Sequence, residues 1–226
     1  MTATRTGLPP LVAAFVERNL PSDASSSRVC FSQTGEMQLK PGRWRGFTAE
    51  QEAATGRVEF CWRAQFPLAP LVALRVGDWY RVDDAALEVR LLGVPLKRMR
   101  GPDVARGEAM RYLAELPWVP QACMANRDLA WRELDKRTVE VAMDIDSARA
   151  AMQLHFDDAG DIVGASAPDR PRAVGKDVVP TPFGGEFSDY QVFNGIRVPT
   201  AASVWWELTD GPFVYFRGRV TSYRSA

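Results

Sequence analysis

The sequence predicts an α+β fold: one large curved antiparallel sheet, a half-barrel or open barrel of about ten strands, with two main helices, one packed against the concave face. Three observations predict it. Most segments alternate apolar and polar residues at a period of two, the pattern of half-buried strands. These segments follow one another without intervening helices, which argues against a doubly wound parallel sheet. The stretch Gly101 to Trp118 (GPDVARGEAMRYLAELPW) reads as a helix too apolar to be covered on one side only.

An N-terminal helix is expected over residues 9–20. Pro9 and Pro10 suit its first turn, and Leu11, Val12, Phe15 and Val16 form its apolar face. Pro21 and the small polar run to Ser27 make a loop. The first strands occupy 28–92. Val29 and Phe31 alternate with Cys30 and Ser32, and Met37 and Leu39 alternate with Gln38 and Lys40, up to a Pro41-Gly42 turn. Val58, Phe60, Trp62, Ala64 and Phe66 mark the clearest strand. Ala73 to Tyr80 and Ala86 to Leu92 follow, joined through Val82-Asp83-Asp84. The central helix is expected over 102–116, capped by Asp103 and stopped by Pro117. Ala105, Ala109, Tyr112, Leu113 and Leu116 share one stripe. Glu108, Arg111 and Glu115 share a narrow strip whose spacing permits an ion-pair ladder.

A C-terminal meander is expected over 129–223. Its strands are Leu129 to Leu134, Thr138 to Ile145 and Met152 to Phe156. A hairpin turn at Asp157 to Asp161, with Gly160 at positive φ, then leads to Ile162 to Ala165. Pro168 to Gly185, with four prolines, reads as a long loop. Glu186 to Phe193 and Ile196 to Leu208 flank an Asn194-Gly195 turn, the strongest short hairpin signal in the chain. Phe213 to Tyr223 closes it.

At 226 residues, with 46% apolar and 25% charged side chains, the chain reads as a single domain, 1–226. A domain of this length buries roughly 70% of the surface its unfolded chain exposes, so it needs no disulfide or metal. The 28 basic and 28 acidic residues balance, which argues against a nucleic-acid partner and against a purely electrostatic membrane binder. Cys30, Cys61 and Cys123 form no CxxC pair, and a zinc site or disulfide framework is not expected; the sequence leaves room for a single Cys30–Cys61 bridge. No run approaches the roughly 18 apolar residues of a membrane span. Leu11 to Val16 is too short for a signal segment and is followed by Glu17 and Arg18, so a cytoplasmic location is expected.

Motifs for chemistry are sparse. There is no GxGxxG, Walker loop, HExxH or GxSxG, and no cofactor, metal or catalytic residue is assigned. His155, the single histidine, shares the wetter face of its strand with Gln153 and Asp157. Asp157, Asp158 and Asp161 lack calcium-loop spacing and read as a turn. Gly184-Gly185 reads as a loop feature. The Glu108, Arg111 and Glu115 strip reads as a solvated face. A sharper reading makes it the polar floor of a cavity under the sheet, where Arg111 meets an anionic head group. Trp205 and Trp206 point to opposite faces. Phe213, Tyr215, Arg217 and Arg219 share a face that reads as a stacked outer layer, with a binding surface as the alternative.

Three stretches carry a resemblance: FSQTGEMQLKPGRWRGFTAEQ (Phe31 to Gln51), RGEAMRYLAELPW within the central helix, and TPFGGEFSDY, IRVPT and WELTDGPFVYFRGRVTSYR between Thr181 and Arg224. Together they resemble an uncharacterised bacterial family, a domain of unknown function, which implies no activity. The run Gly35 to Trp44 is similar, more distantly, to that of the lipoprotein-localisation and lipoprotein-carrier half-barrels. That likeness implies a curved sheet wrapped around helices and an apolar cavity that holds lipid; the chain shows no export signal of the kind those carriers have.

Three functional readings follow. The first is a binding protein for a lipid or other apolar small molecule, lined by Phe60, Trp62, Met110, Tyr112, Trp131 and Met143 with Arg111 as the polar contact. The second is a protein-interaction or structural domain in which the 168–185 loop and the arginine–aromatic face of Phe213, Tyr215, Arg217 and Arg219 meet a partner. The third is a small-molecule enzyme that uses a carboxylate such as Glu108 or a desolvated Glu133.

Overall fold

The period-two segments form thirteen strands among the described residues, and all of them join one antiparallel sheet. A computed structural model describes residues 7–145 and 148–226. After helix α1 (Pro10–Asn19), a first meander runs through β1 (Arg28–Lys40), β2 (Arg43–Ala54), β3 (Phe60–Ala69), β4 (Val72–Arg81), β5 (Asp84–Leu91) and β6 (Val94–Met99). Helix α2 (Pro102–Ala114), a 3-10 turn (Leu116–Trp118) and helix α3 (Pro120–Ala125) follow. A second meander is built from β7 (Ala130–Asp135), β8 (Thr138–Ile145), β9 (Ala148–Phe156), β10 (Ile162–Val174), β11 (Asp177–Phe193), β12 (Ile196–Leu208) and β13 (Gly211–Ser225).

In space the order is β6-β5-β4-β3-β2-β1-β13-β12-β11-β10-β9-β8-β7. The first and last strands are neighbours at the middle, paired from Val29↔Ser225 to Met37↔Phe216. β6 and β7, consecutive in sequence, lie at opposite edges, so the chain must cross the sheet between them. Helix α2 makes that crossing. Its 13 residues span about 20 Å, and it packs on β4 and β5 of one arm and on β8, β9 and β10 of the other. This is why it is apolar on more than one side: Ala109, Met110, Tyr112 and Leu113 are all buried.

The two meanders approach closely at the central seam. Gly35 and Gly218 face each other there. A Cβ on Gly35 would lie 2.1 Å from the Arg217 carbonyl oxygen, so no side chain fits.

Strand directions sort the turns. The β1–β2, β3–β4, β5–β6, β10–β11 and β12–β13 turns lie at one end of the half-barrel. The other end is closed by α1, the 3-10 turn and α3. There Trp118 Nε1 donates to the Pro199 carbonyl (2.8 Å) and the Tyr223 hydroxyl donates to the Trp118 carbonyl (2.9 Å).

Several expectations are corrected. Residues 168–185 are not a loop: they form the facing ends of β10 and β11, paired from Ala165↔Gly185 to Val174↔Asp177. Beyond Ser166, β10 has left its other neighbour β9, and β11 meets β12 only from Phe183 onward. The prolines therefore sit in a two-stranded ribbon with free edges, where a missing N–H costs no ladder bond. Helix α2 stops at Ala114 rather than 116, and Gly101, not Asp103, occupies its cap position, with no side-chain cap bond. The Asn194-Gly195 turn has both residues at positive φ (49° and 84°). Cys30 and Cys61 both pair with Glu52 from opposite sides; two strand spacings, about 9–10 Å, exceed disulfide reach, and all three cysteines are free.

Candidate functional site

A cavity of about 580 Å³ lies between α2 and the concave face of the sheet, toward the end that the helices leave open. Positions four apart along α2 and its C-terminal cap (Asp103, Gly107, Arg111, then Glu115), with Val104 and Glu108, form its floor. Alternate residues of β4 (Leu74, Val76, Asp78) and β5 (Leu87, Val89) form one wall, and Phe183, Val204, Trp206 and Phe216 form the other. Leu39 and Val178, both exposed, also line it, so the cavity reaches the surface between the β1–β2 and β10–β11 tips.

The second wall owes its aromatic lining to a β-bulge. Trp205 pairs with Val214 and Val204 with Phe216, so Tyr215 is the extra residue on β13. The bulge resets the alternation. Tyr215 and Phe216 both reach the cavity, and Tyr215 stacks on Trp206 with ring centroids 5.9 Å apart. Arg217 and Arg219 are exposed. The single outer face expected for Phe213, Tyr215, Arg217 and Arg219 is thus split. Trp205 covers Gly184, where an added Cβ would lie 2.5 Å from the indole ring. That contact accounts for glycine at 184; at Gly185 an added Cβ would meet only ordinary contacts.

Deep in the cavity stands a charged cluster. Arg111 Nη1 donates to Asp78 Oδ2 (2.6 Å) and its Nε to Glu115 Oε1 (2.8 Å), the ladder step expected on the helix. Its guanidinium carbon lies 5.2 Å from the Phe60 ring centroid and 4.9 Å from that of Trp62. Burial opposes the Arg111 charge, but Glu115 and Asp78 outweigh it and hold the guanidinium charged. Gln51 Nε2 donates to Glu115. Across the cavity, Arg170 stacks on Phe183 (4.4 Å) and donates to the Gly107 carbonyl.

Glu108 is 93% buried, and its carboxyl is pushed up to about 8 by burial, then by the Asp78 charge, against Arg111 and Arg170. Asp78 is raised for the same leading reason. Asp78 Oδ1 and Glu108 Oε2 have no hydrogen-bond partner among the described residues. The strip Glu108, Arg111 and Glu115 is therefore a polar floor, not a solvated face. Arg111, however, already has two carboxylate partners, which weakens the case for it as an anion receptor.

Of the residues singled out from sequence, Trp62 and Arg111 line the cavity. Phe60 is buried beneath Arg111. Met110 and Tyr112 are fully buried in the core, the Tyr112 hydroxyl donating to the Ala54 carbonyl (2.8 Å). Met143 on β8 is buried, and Trp131 on the edge strand β7 is half-buried. Neither of the last two is among the lining residues. The helix periodicity that selected Met110 and Tyr112 identifies a buried face, and here that face packs on sheet. Glu133 is exposed on β7, so the desolvation expected there is missing. His155 is half-buried with Nε2 2.7 Å from Ser166 Oγ, and burial pushes its pKa down. Asp161 is held by Arg197 (2.5 and 2.7 Å), a structural pairing.

Sequence reasoning missed Asp78, Arg170 and Trp206. Asp78 had a readable signal: Leu74, Val76, Asp78 and Tyr80 share one face of a strand, and a lone carboxylate in an apolar stripe points inward. Arg170 was hidden by the proline-rich stretch.

A family model described as "Family of unknown function (DUF6544)" matches residues 1–218. No curated protein matches the sequence. The chain is similar in structure to a LolA superfamily protein from Nitrosomonas europaea, at 10% identity and a TM-score of 0.50, over 96% of this chain and 92% of that one. It is also similar to a putative outer membrane lipoprotein-sorting protein domain from Vibrio parahaemolyticus, at 11% identity and a TM-score of 0.52, over 95% and 90%. A DUF1329 family protein from Desulfovibrio piger matches at 10% identity and a TM-score of 0.51, over 96% and 93%. These likenesses establish a shared half-barrel fold.

Proposed function

The chain belongs to this family of unknown function, and from that premise we propose that it is a binding protein for a lipid or other apolar small molecule, held between the curved sheet and α2. The cavity carries the reading. Its volume, about 580 Å³, falls in the ~300–1,000 Å³ range of small-molecule sites, and its plan is the usual one of apolar walls with few polar groups. The walls supply Leu74, Val76, Leu87, Val89 and Trp206; the polar groups are Glu108 and Arg111 of the floor and Asp78 beside them on β4. A half-barrel neighbour described as a putative lipoprotein-sorting domain is in keeping with an apolar cargo. The polar floor fixes which end of a cargo enters first: an apolar tail lies along the walls, and a head group that donates hydrogen bonds meets Asp78 Oδ1 and Glu108 Oε2.

Two measurements test it. Native mass spectrometry of protein prepared without detergent is expected to show an added mass of several hundred daltons that leaves on denaturation. Val76→Trp and Leu87→Trp fill the cavity from two strands. Each is expected to weaken binding of the apolar fluorophore N-phenyl-1-naphthylamine by about tenfold or more, a 1.4 kcal/mol change, with circular dichroism unchanged. Fluorophore affinity that survives both substitutions removes the assignment.

A further inference from the structure

Three neighbouring turns at the open end, β1–β2, β3–β4 and β5–β6, present apolar side chains to solvent. Leu39, Leu68, Leu71, Leu92, Val94 and Leu96 are all exposed, Leu71 completely and Leu92 by 72%. Local structure does not ask for leucine at two of these places. Leu71 and Leu92 hold φ of +62° and +50°, left-handed backbone that favours Gly, Asn or Asp and disfavours a bulky side chain. Packing does not ask for it either, because among the described residues nothing buries them.

The same segments are basic. Residues 39–45, 68–75 and 90–98 contain seven Lys or Arg and no Asp or Glu, in a chain whose net charge is zero. Lys40, Arg43, Lys97 and Arg98 are exposed, and among the described residues only Arg90 of the seven has an ion-pair partner, Glu88. The balanced composition thus hides a segregated surface. Leu39 and Lys97 belong to this rim and also line the cavity, so the rim borders the cavity mouth. Across the mouth, the β10–β11 tip adds exposed Val178, Val179 and Lys176.

We propose that these three turns dock on an anionic lipid bilayer, with Leu71, Leu92 and Leu96 entering the interface and Lys40, Arg43, Lys97 and Arg98 meeting lipid phosphates. An acidic protein surface would use the cations but leave the leucines wet. A bilayer interface accepts both at once, apolar groups below and phosphates above. Docking in this pose sets the cavity mouth against the membrane, although the inference stands on the rim alone and holds whether or not the cavity is filled. The β12–β13 tip carries Glu207 and Asp210; it sits beside the β1–β2 turn, on the side away from the other two, and bounds the docking surface there.

The test is vesicle co-sedimentation of the full chain, with phosphatidylcholine vesicles and with vesicles in which about one-quarter of the lipid is phosphatidylglycerol, at about 0.1 M salt. Binding to the anionic vesicles alone is expected. Leu71→Asn with Leu92→Asn suits the turns better than the native residues do. This pair is therefore expected to keep or raise Tm while reducing vesicle binding about tenfold, which separates docking from misfolding. Lys97→Glu with Arg98→Glu is expected to abolish the preference for anionic lipid. Equal binding to both vesicle types, no binding to either, or binding untouched by the asparagine pair overturns the proposal. So does a concentration-dependent dimer in sedimentation velocity that the asparagine pair dissolves, because the leucines then serve a second copy. None of these outcomes bears on fluorophore binding in the cavity, so the two proposals fail separately.

Discussion

The Glu108 carboxyl faces the cavity from α2, with Asp78 of β4 and Glu115 as acidic neighbours and Arg111 and Arg170 as basic ones. Lys97, Asp103 and Arg172 line the same space. Burial is the leading cause of its high pKa of about 8, with Asp78 second. In the unfolded chain the same carboxyl loses its proton near its ordinary value of 4.5. Between those two values the folded state keeps a proton that the unfolded state has released. Stability therefore falls as pH rises through that window and levels off above about 8. Glutamine has no proton to lose and the same shape. Glu108→Gln is expected to flatten this slope, leaving the part due to Asp78, and to exceed the native protein at pH above 8 by about 2–4 kcal/mol. Urea unfolding at pH 5 and above pH 8 reads both effects. Parallel stability curves for the two proteins would show that Glu108 is solvated in the folded state. Asp78 and Glu108 were unequally legible. A helix strip of three charges is visible in any sequence, but its burial depends on a strand from another part of the chain.

Helix α2 is fastened to both arms of the sheet by arginines that sit on different sides of it. Arg111 reaches β4 through Asp78. Arg106 reaches the other arm, donating to the Arg149 carbonyl (2.9 Å), the Asp169 carbonyl (2.8 Å) and Asp169 Oδ2 (2.6 Å). Arg170 returns a bond from β10 to the Gly107 carbonyl. The Arg106 side chain is mostly buried while Asp169 is half exposed, so the two carbonyl bonds carry more weight than the ion pair. Arg106→Ala is expected to cost about 1–3 kcal/mol and to speed hydrogen exchange along α2 without changing exchange in β1 to β4. Exchange that rises equally in all strands would mean that α2 is not an independent strut. At this scale the sequence was legible where one period ran unbroken, as in α1, α2, β3 and the β11–β12 hairpin. It was misleading at 168–185, because proline is a strand breaker only where both edges of a strand must pair. The bulge at Tyr215 was also out of reach, since one inserted residue leaves the alternation on each side intact and merely changes its phase.

Over the whole molecule, the two meanders share no hairpin; α2, the β1–β13 seam and the helical plug at the closed end join them. Composition and period announce an antiparallel sheet, but no local pattern reports that strands nearly 200 residues apart are neighbours, as Val29 and Ser225 are. Charge is illegible for a related reason: the 28 acids and 28 bases cancel in the sum, and only the arrangement of hairpins gathers seven bases at one rim. The seam decides whether the half-barrel is one cooperative unit. If each meander were stable alone, β1 and β13 would be two edge strands in weak contact, and their amides would exchange early. The structure argues for the opposite order. Phe31 of β1 meets both Trp118 (5.6 Å) and Tyr223 of β13 (6.1 Å), and Phe187 makes a T-shaped contact with Trp118 (5.4 Å). That aromatic cluster ties both meanders to the helical plug at the closed end, and Arg28 exchanges backbone bonds with Ala226 beside it. The true edges are β6, nearly all of it exposed, and β7. Native-state hydrogen exchange is therefore expected to be slowest in β1 and β13, at the free energy of global unfolding, and fastest in β6 and β7, with β3 and β9 between. Exchange in β1 and β13 ahead of β3 and β9 would show two separately stable sheets, and the cavity between them would then open by parting at the seam.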